Sequence, residues 1–281
     1  MRTYLDCIPC FFKQALRAGR LATDDEMKIK KLLEEVGEML KDISIESTPP
    51  ETGELIYEKV REITGNVDPY LEIKRENTRK ALTLYNLLRE KVEKSNDGLL
   101  TAIRIAIAGN VMDFGVNENF DIEQETDEIL SKDFAICDYD KFKSYLDETD
   151  KVLYIGDNAG ESVFDRILIE RLNKPVTYIV REIPIINDVT YKDALQAGID
   201  KVATIFSSGT RAPGTFLKKC SREFIEMFNS AKFIISKGQG NYEGLSNEKH
   251  RIFFLLKAKC YVIANDIGVS EGDIVLKGIN V

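Results

Sequence analysis

The chain contains no tryptophan and one histidine, His250, among its 281 residues. A lone imidazole excludes multi-histidine metal centres and leaves most histidine-relay catalysis without its parts. His250 lies among Glu248, Lys249 and Arg251, the setting of a solvated helix residue. Long apolar runs are also missing. No window approaches the roughly 18 consecutive apolar residues of a membrane span. Met1-Arg2-Thr3-Tyr4-Leu5-Asp6 lacks the apolar core of a secretion signal, so a cytoplasmic protein with no membrane partner is expected. Positive charge is short as well: 39 Lys and Arg against 47 Asp and Glu give a formal charge of -8. Without a basic stripe, nucleic acid is not an expected partner, and an anionic small substrate would need a metal ion or local positive charge. The five cysteines, odd in number and scattered, fit reduced thiols rather than a disulfide framework.

What is present divides the chain into two patterns. From residue 11 to about 147, apolar residues recur at helical spacing, as in Leu32, Leu33, Val36, Met39 and Leu40, and the region reads as a bundle of six or seven helices. Pro49-Pro50 and Asp68-Pro69 mark turns before helices, and Gly98 precedes an apolar helix through Ile103, Ile105 and Ile107. After residue 150 come short apolar runs, each followed by polar loop residues and a helical stretch: Val152–Ile155, Val176–Val180, Val202–Phe206, Phe233–Ile235 and Tyr261–Ala264. Ile274-Val275-Leu276 adds an edge strand. The expected fold is α/β, with an N-terminal helical bundle (1–148) packed on a Rossmann-like, doubly wound, mainly parallel sheet (149–281). No flexible linker separates the two, which places the site in a cleft between them.

In a parallel sheet, ligands bind at the carboxyl ends of strands, and four such ends carry polar residues. Gly156-Asp157-Asn158-Ala159-Gly160-Glu161 places a carboxylate and an amide side by side with small neighbours, a set suited to a hard divalent cation. A strand-to-helix turn capped by Asp157 or Asn158 accounts for the string equally well. Asp188, past the next strand in a loop opened by Pro184, is the best third oxygen ligand, with an N-cap as its competing role. Ser207-Ser208-Gly209-Thr210 offers hydroxyls and backbone N–H groups to a phosphate, although ordinary loop composition explains it too. Lys237, closing an apolar strand, is more telling, because a charge there calls for a partner. Gly238 and Gly240 permit close backbone approach, and Asn241 extends the loop's polar set. In the helical half, Arg104, Asn110 and Asp113 flank Gly109 at the end of the most apolar helix; they either satisfy one another inside the interface or reach into the cleft, and reaching into the cleft is the favoured expectation. Cys7-Ile8-Pro9-Cys10 has the spacing of a zinc or redox pair, but zinc needs two further ligands and no second close pair exists; an apolar core pair is the default.

Taken in order, Cys7-x-x-Cys10, Ala108-Gly109-Asn110-x-x-Asp113, Gly156-Asp157-Asn158-Ala159-Gly160-Glu161, Asn187-Asp188-Val189-Thr190 and Lys237-Gly238-Gln239-Gly240-Asn241-Tyr242-Glu243 resemble the metal-dependent damage-control phosphatases, in their compact archaeal and bacterial branch. The resemblance spans essentially the whole chain. It implies a helical domain on a Rossmann-like domain and hydrolysis of phosphate esters of small, often damaged or side-product, metabolites. It further implies that Asp157, Asn158 and Asp188 bind Mn, Co, Ni or Mg, that Lys237 faces the phosphate, and that Asp157, Asp188 and Lys237 carry catalysis. Substrate contacts are expected from Glu161, Ser207, Ser208, Gly209, Lys237, Asn241, Arg104, Asn110 and Asp113. An aspartyl-phosphate route would want a second Asp two residues after Asp157, where Ala159 stands, so a metal-activated water is the expected nucleophile. Two other readings stay open: an S-adenosylmethionine-dependent carboxylate methyltransferase, for which Gly156-x-x-x-Gly160 is thin support, and a non-catalytic metal-binding module. The sequence sets neither the substrate nor an oligomeric state.

Overall fold

The computed structural model describes residues 1–109 and 130–281. Its centre is a seven-stranded sheet in the order β1-β7-β6-β5-β2-β3-β4. The strands are β1 (Phe134–Cys137), β2 (Val152–Ile155), β3 (Val176–Val180), β4 (Thr204–Ser207), β5 (Ile234–Lys237), β6 (Ile252–Lys257) and β7 (Ile274–Ile279). β6 and β7 run antiparallel, and every other neighbouring pair is parallel.

Helices cover both faces. Successive side chains along a strand point to opposite sides. In β2, Val152 and Tyr154 join Ala102, Ile103, Phe142 and Phe164, whereas Leu153 and Ile155 join Phe224, Phe228, Leu245 and Ile263. A strand buried on both faces reads as one apolar run, which is why β2 and β3 stand out in the sequence. One face carries α4 (Leu71–Lys94), α5 (Gly98–Gly109), α6 (Tyr139–Glu148), α7 (Ser162–Leu172) and α8 (Tyr191–Ala197). The other carries α9 (Arg222–Ser230), α10 (Gly238–Leu245) and α11 (Tyr261–Ile267).

A third cluster belongs to α1 (Cys7–Ala22), α2 (Glu26–Leu40) and α3 (Pro49–Thr64), packed through Phe11, Ala15, Leu32, Val36, Ile56 and Val60. Local chemistry sets their ends. Asp25 caps α2 by accepting from the backbone N–H of Met27 at 3.0 Å. Pro49 and Pro50 open α3, where a missing N–H costs nothing, and Gly65, at φ 77°, closes it. The buried Lys74 of α4 ties the helical part to the sheet layer, pairing with Asp193 of α8 at 3.1 Å and with Asp68 at 2.9 Å.

Several sequence expectations change. The stretch 11–147 is not all helical: Phe134–Cys137 forms β1, an edge strand whose side chains alternate between half-buried and exposed, so no apolar run marks it. It lies within the region 1–148 assigned to the helical part, yet it pairs with β7. Tyr261–Ala264 is the first turn of α11, which buries Ile263, Ala264 and Ile267 at helical spacing and ends at Gly268, φ 87°. The strand expected there is β6, residues 252–257, five of them fully buried. β7 lies inside the sheet rather than at its edge, because β1 flanks it. His250 is in a loop, its ring 4.7 Å from that of Phe228. Among the described residues, no helix is long and apolar enough to cross a membrane.

Candidate active site

β2 has β3 on one side and β5 on the other, and the chain winds outward from this pair in opposite directions. Such a switch point leaves a crevice beyond the strand ends. The loop 156–161 leaves β2 there, beside the turn into α10 that leaves β5. The loop after β3 is drawn in by backbone bonds: Val189 N–H donates to Asp157 O at 2.8 Å, and Ala159 N–H to Asn187 O at 2.9 Å. Asn158 and Asp188 thereby pair as an isolated antiparallel bridge. Ile186 in the same loop has φ 43°, a conformation that costs a β-branched residue about 1–3 kcal/mol and persists where surrounding contacts impose it.

Behind these loops is a dense polar network. Asn158 Nδ2 donates to Asp157 Oδ2 and to Glu161 Oε2, both at 3.0 Å. Lys237, fully buried, donates to Ala106 O at 2.8 Å, to Asp165 Oδ1 at 2.7 Å and to Glu161 Oε1. Asp165 also accepts from the hydroxyls of Tyr154 and Tyr178, each at 2.7 Å. On the other flank Arg181 donates to Asp188 at 2.8 Å, and to Thr215 and Asn241 at 2.9 Å each. Asn241 returns bonds to Gly156 O at 3.0 Å and Lys237 O at 2.7 Å, so it fixes the two strand ends to one another.

The charges in this network do not balance. Asp157, Glu161, Asp165 and Asp188 are buried with two buried cations, Lys237 and Arg181, which leaves two negative charges if all ionise. Burial, with repulsion from Glu161 and Asp188, pushes the Asp157 carboxyl up to about 8. Burial also raises Asp188, but Arg181 opposes it and the value is about 6. Burial pulls Lys237 down, yet Asp165 and Glu161 outweigh it, and its pKa is raised. A carboxyl whose pKa rises on folding favours the folded state only while it is protonated. The metal-free protein is therefore expected to lose thermal stability as pH climbs from the ordinary carboxylate range through about 8, the value for Asp157. Melting curves across that range check this, with Asp157→Asn giving a flatter profile.

A divalent cation would restore the balance. The oxygen-rich set Asp157, Asn158 and Asp188 suits a hard ion, so these residues fit the metal that the sequence resemblance implies. The turn beside them is cut to size: Gly238 has φ 74°, and a Cβ there would stand 1.9 Å from Asp157 Oδ2. Gly238→Ala is expected to displace that carboxylate and weaken divalent-ion affinity by about tenfold or more, checked by calorimetric titration.

Asp157, Asn158 and Asp188 face a cavity of about 360 Å³, whose other walls include Phe11, Pro49, Pro50, Pro213 and Lys259. Glu161, Lys237 and Asn241 are not on its wall, and Lys237 reaches Asn158 through Glu161. The expectation that Lys237 faces the phosphate is thus corrected: its three protons are held by Ala106, Glu161 and Asp165. Ser207, Ser208 and Gly209 are not on the cavity wall. β4 is separated from β2 by β3, and the loop closes on itself: Gly209 N–H donates to Ser207 Oγ at 3.1 Å and Thr210 N–H to Ser208 Oγ at 3.3 Å. Arg104 also points elsewhere, its guanidinium stacked 4.4 Å above Phe134 and bonded to Lys132 O. Asn110 and Asp113 fall outside the described residues. Cys7 and Cys10 are not a core pair: Cys7 is half-buried, Cys10 is exposed, and both line the cavity.

The sequence does not single out Asp165 or Lys259, and it shows Arg181 only as one of the polar residues that follow the Val176–Val180 strand, with no role of its own. Asp165 lies one helical turn after Glu161, the N-cap of α7, a register visible only once the helix start is known. Lys259 is exposed on the cavity wall, and its charge favours the ionised form of Asp157.

Comparison with known proteins places this architecture. Residues 3–275 match the family described as the damage-control phosphatase ARMT1-like domain. A Pyrococcus horikoshii protein named as a damage-control phosphatase is 36% identical over 98% of this chain and 97% of its own. An Archaeoglobus fulgidus protein of the same name is 34% identical over 96% and 97%. The crystal structure of the Pyrococcus horikoshii protein superposes with a TM-score of 0.90, covering 98% of each chain. Fold, family match and relatives agree, and the chain belongs to the damage-control phosphatase ARMT1-like family.

Proposed function

We propose that this protein is a metal-dependent phosphatase that hydrolyses phosphate esters of small metabolites, damaged or side-product ones among them. The observation that carries the reading is the buried carboxylate excess at the sheet's switch point, opening onto a cavity large enough for a small ester. Asp157, Asn158 and Asp188 would hold a Mn, Co, Ni or Mg ion, which supplies Lewis-acid polarisation of the phosphoryl group and a water acidic enough to act near neutral pH.

The chain's own groups do the rest. Asn158 donates to both Asp157 and Glu161, which leaves its amide oxygen directed away from those two carboxylates. Arg181 fixes Asp188 and keeps it more acidic than burial alone would. Lys237 is a positioning residue: it bridges Glu161 and Asp165 and so sets the orientation of Asn158. Lys259, exposed at the cavity, attracts the phosphate dianion and offsets its charge. Lys259→Ala is expected to raise KM for phosphomonoesters by about fivefold to tenfold with a smaller change in kcat, read from steady-state kinetics at low salt. The methyltransferase reading draws no support from its glycines. A side chain at Gly156 would meet the Tyr178 hydroxyl at 2.5 Å and one at Gly160 the Asn77 Cβ at 2.9 Å, so protein packing accounts for both.

The test is phosphate release from p-nitrophenyl phosphate and a panel of sugar phosphates by metal-stripped protein resupplied in turn with Mg, Mn, Co or Ni. Turnover restored by an ion supports the reading. Ion binding without turnover on any ester favours the non-catalytic module instead.

A further inference from the structure

The cavity has a second wall of different chemistry. Cys7 and Cys10 come from the first turn of α1, three residues apart and so on one helix face. Cys260 is the N-cap of α11, about 250 residues later in the chain. All three line the same cavity as Asp157 and Asp188, with Glu243 beside them. They are also electrostatic neighbours: Cys7 is influenced by Cys10, Cys260 and Glu243, and Cys260 by Cys10 and Glu243. The remaining cysteines, Cys137 and Cys220, do not line this cavity.

We propose that Cys7, Cys10 and Cys260 form a binding site for one sulfur-seeking divalent ion of the zinc class, distinct from the oxygen site of Asp157, Asn158 and Asp188. The Cys-x-x-Cys segment has no further cysteine or histidine nearby in sequence, and the fold supplies a third thiol from the opposite end of the chain. Thiolate sulfur selects zinc-class ions over the hard ions that carboxylates prefer, so two donor walls on one cavity take different metals. Among the described residues, no three Cys, His, Asp or Glu side chains stand close enough to enclose an ion as they are. Binding therefore draws the thiols inward by rotation about their side-chain bonds, and each ligating thiol releases its proton to solvent. A bound ion joins α1 to α11 across the cavity mouth and shapes the wall opposite the carboxylates. This site does not depend on the phosphatase reading.

The experiment is titration of reduced, metal-stripped protein with Cd2+, read by the ultraviolet thiolate-to-metal charge-transfer band, which oxygen ligands cannot produce. One equivalent is expected to saturate the band in the wild type and in Asp157→Ala. Cys260→Ser is expected to lose the band or to weaken Cd2+ affinity by about tenfold or more, and Cys137→Ser to leave it unchanged. No band, or a band of wild-type strength and affinity in Cys260→Ser, overturns the proposal. As a check that needs no variant, Zn2+ should protect Cys7, Cys10 and Cys260 from iodoacetamide, read residue by residue by mass spectrometry, while exposed Cys137 still reacts. Equal alkylation of Cys7, Cys10 and Cys260 with and without Zn2+ likewise overturns it. Loss of phosphate release in Asp157→Ala with an intact Cd2+ band separates the two sites.

Discussion

Asp157→Ala is expected to lose divalent-ion binding at the oxygen site and phosphate release together, with kcat/KM down by about three orders of magnitude, while the metal-free chain stays folded. The size of the loss follows from removing a ligand to a Lewis acid that contributes several kcal/mol at the transition state, each 1.36 kcal/mol being about tenfold in rate. The folding expectation rests on charge. Burial and repulsion from Glu161 and Asp188 push Asp157 up to about 8, so removing it relieves a crowded anionic site. Asn158 keeps its bond to Glu161 at 3.0 Å, and the backbone bond from Val189 to Asp157 O at 2.8 Å does not depend on the side chain. Thermal melts without metal should show the variant at least as stable as the wild type near pH 8, whereas added Mn2+ should stabilise the wild type alone. Asp188→Ala should match it in activity but not in stability, because it leaves Arg181 buried without its 2.8 Å partner.

Lys237→Met has the opposite signature. The substitution is near in volume but strands Glu161, Asp165 and Ala106 O, all buried, without the ammonium that joins them. Breaking a buried ion pair from one side costs about 3–5 kcal/mol, and here one cation serves two carboxylates. The variant should unfold at markedly lower temperature or denaturant concentration than the wild type. Part of the deficit should return as pH falls and the two carboxyls take up protons. Because Lys237 acts on the site through Glu161 and Asn158, activity should fall in the fraction that remains folded. Wild-type stability in Lys237→Met would show that the network is not what holds β5, α5 and α7 together at this point.

The α/β architecture was legible because β2, β3 and β5 are buried on both faces and print as apolar runs, and because the carboxyl end of a parallel strand is where a site must lie. β1 was not, since an edge strand of four residues with alternating exposure carries little signal. The apolar turn Tyr261–Ala264 stood in for β6, although its burial follows helical spacing through Ile267. At the site, Asp157, Asn158 and Asp188 are brought together as the spacing of strand ends suggested. Ser207 to Gly209 are not, because the sequence does not reveal that β4 lies two places from β2. Lys237 shows a further limit: a charge closing an apolar strand signals a partner, but only the fold reveals that Glu161 and Asp165 are the partners and that Lys237 is not on the cavity wall. The meeting of Cys260 with Cys7 and Cys10 on one cavity wall is long-range in the same way.

The most direct test of the central claim, that Asp157, Asn158 and Asp188 hold the catalytic ion, is anomalous diffraction from crystals of metal-stripped protein soaked in Mn2+. The account predicts an anomalous peak within about 2.0–2.3 Å of oxygen atoms from all three residues. A well-occupied peak elsewhere in the molecule with none at these three side chains would contradict it.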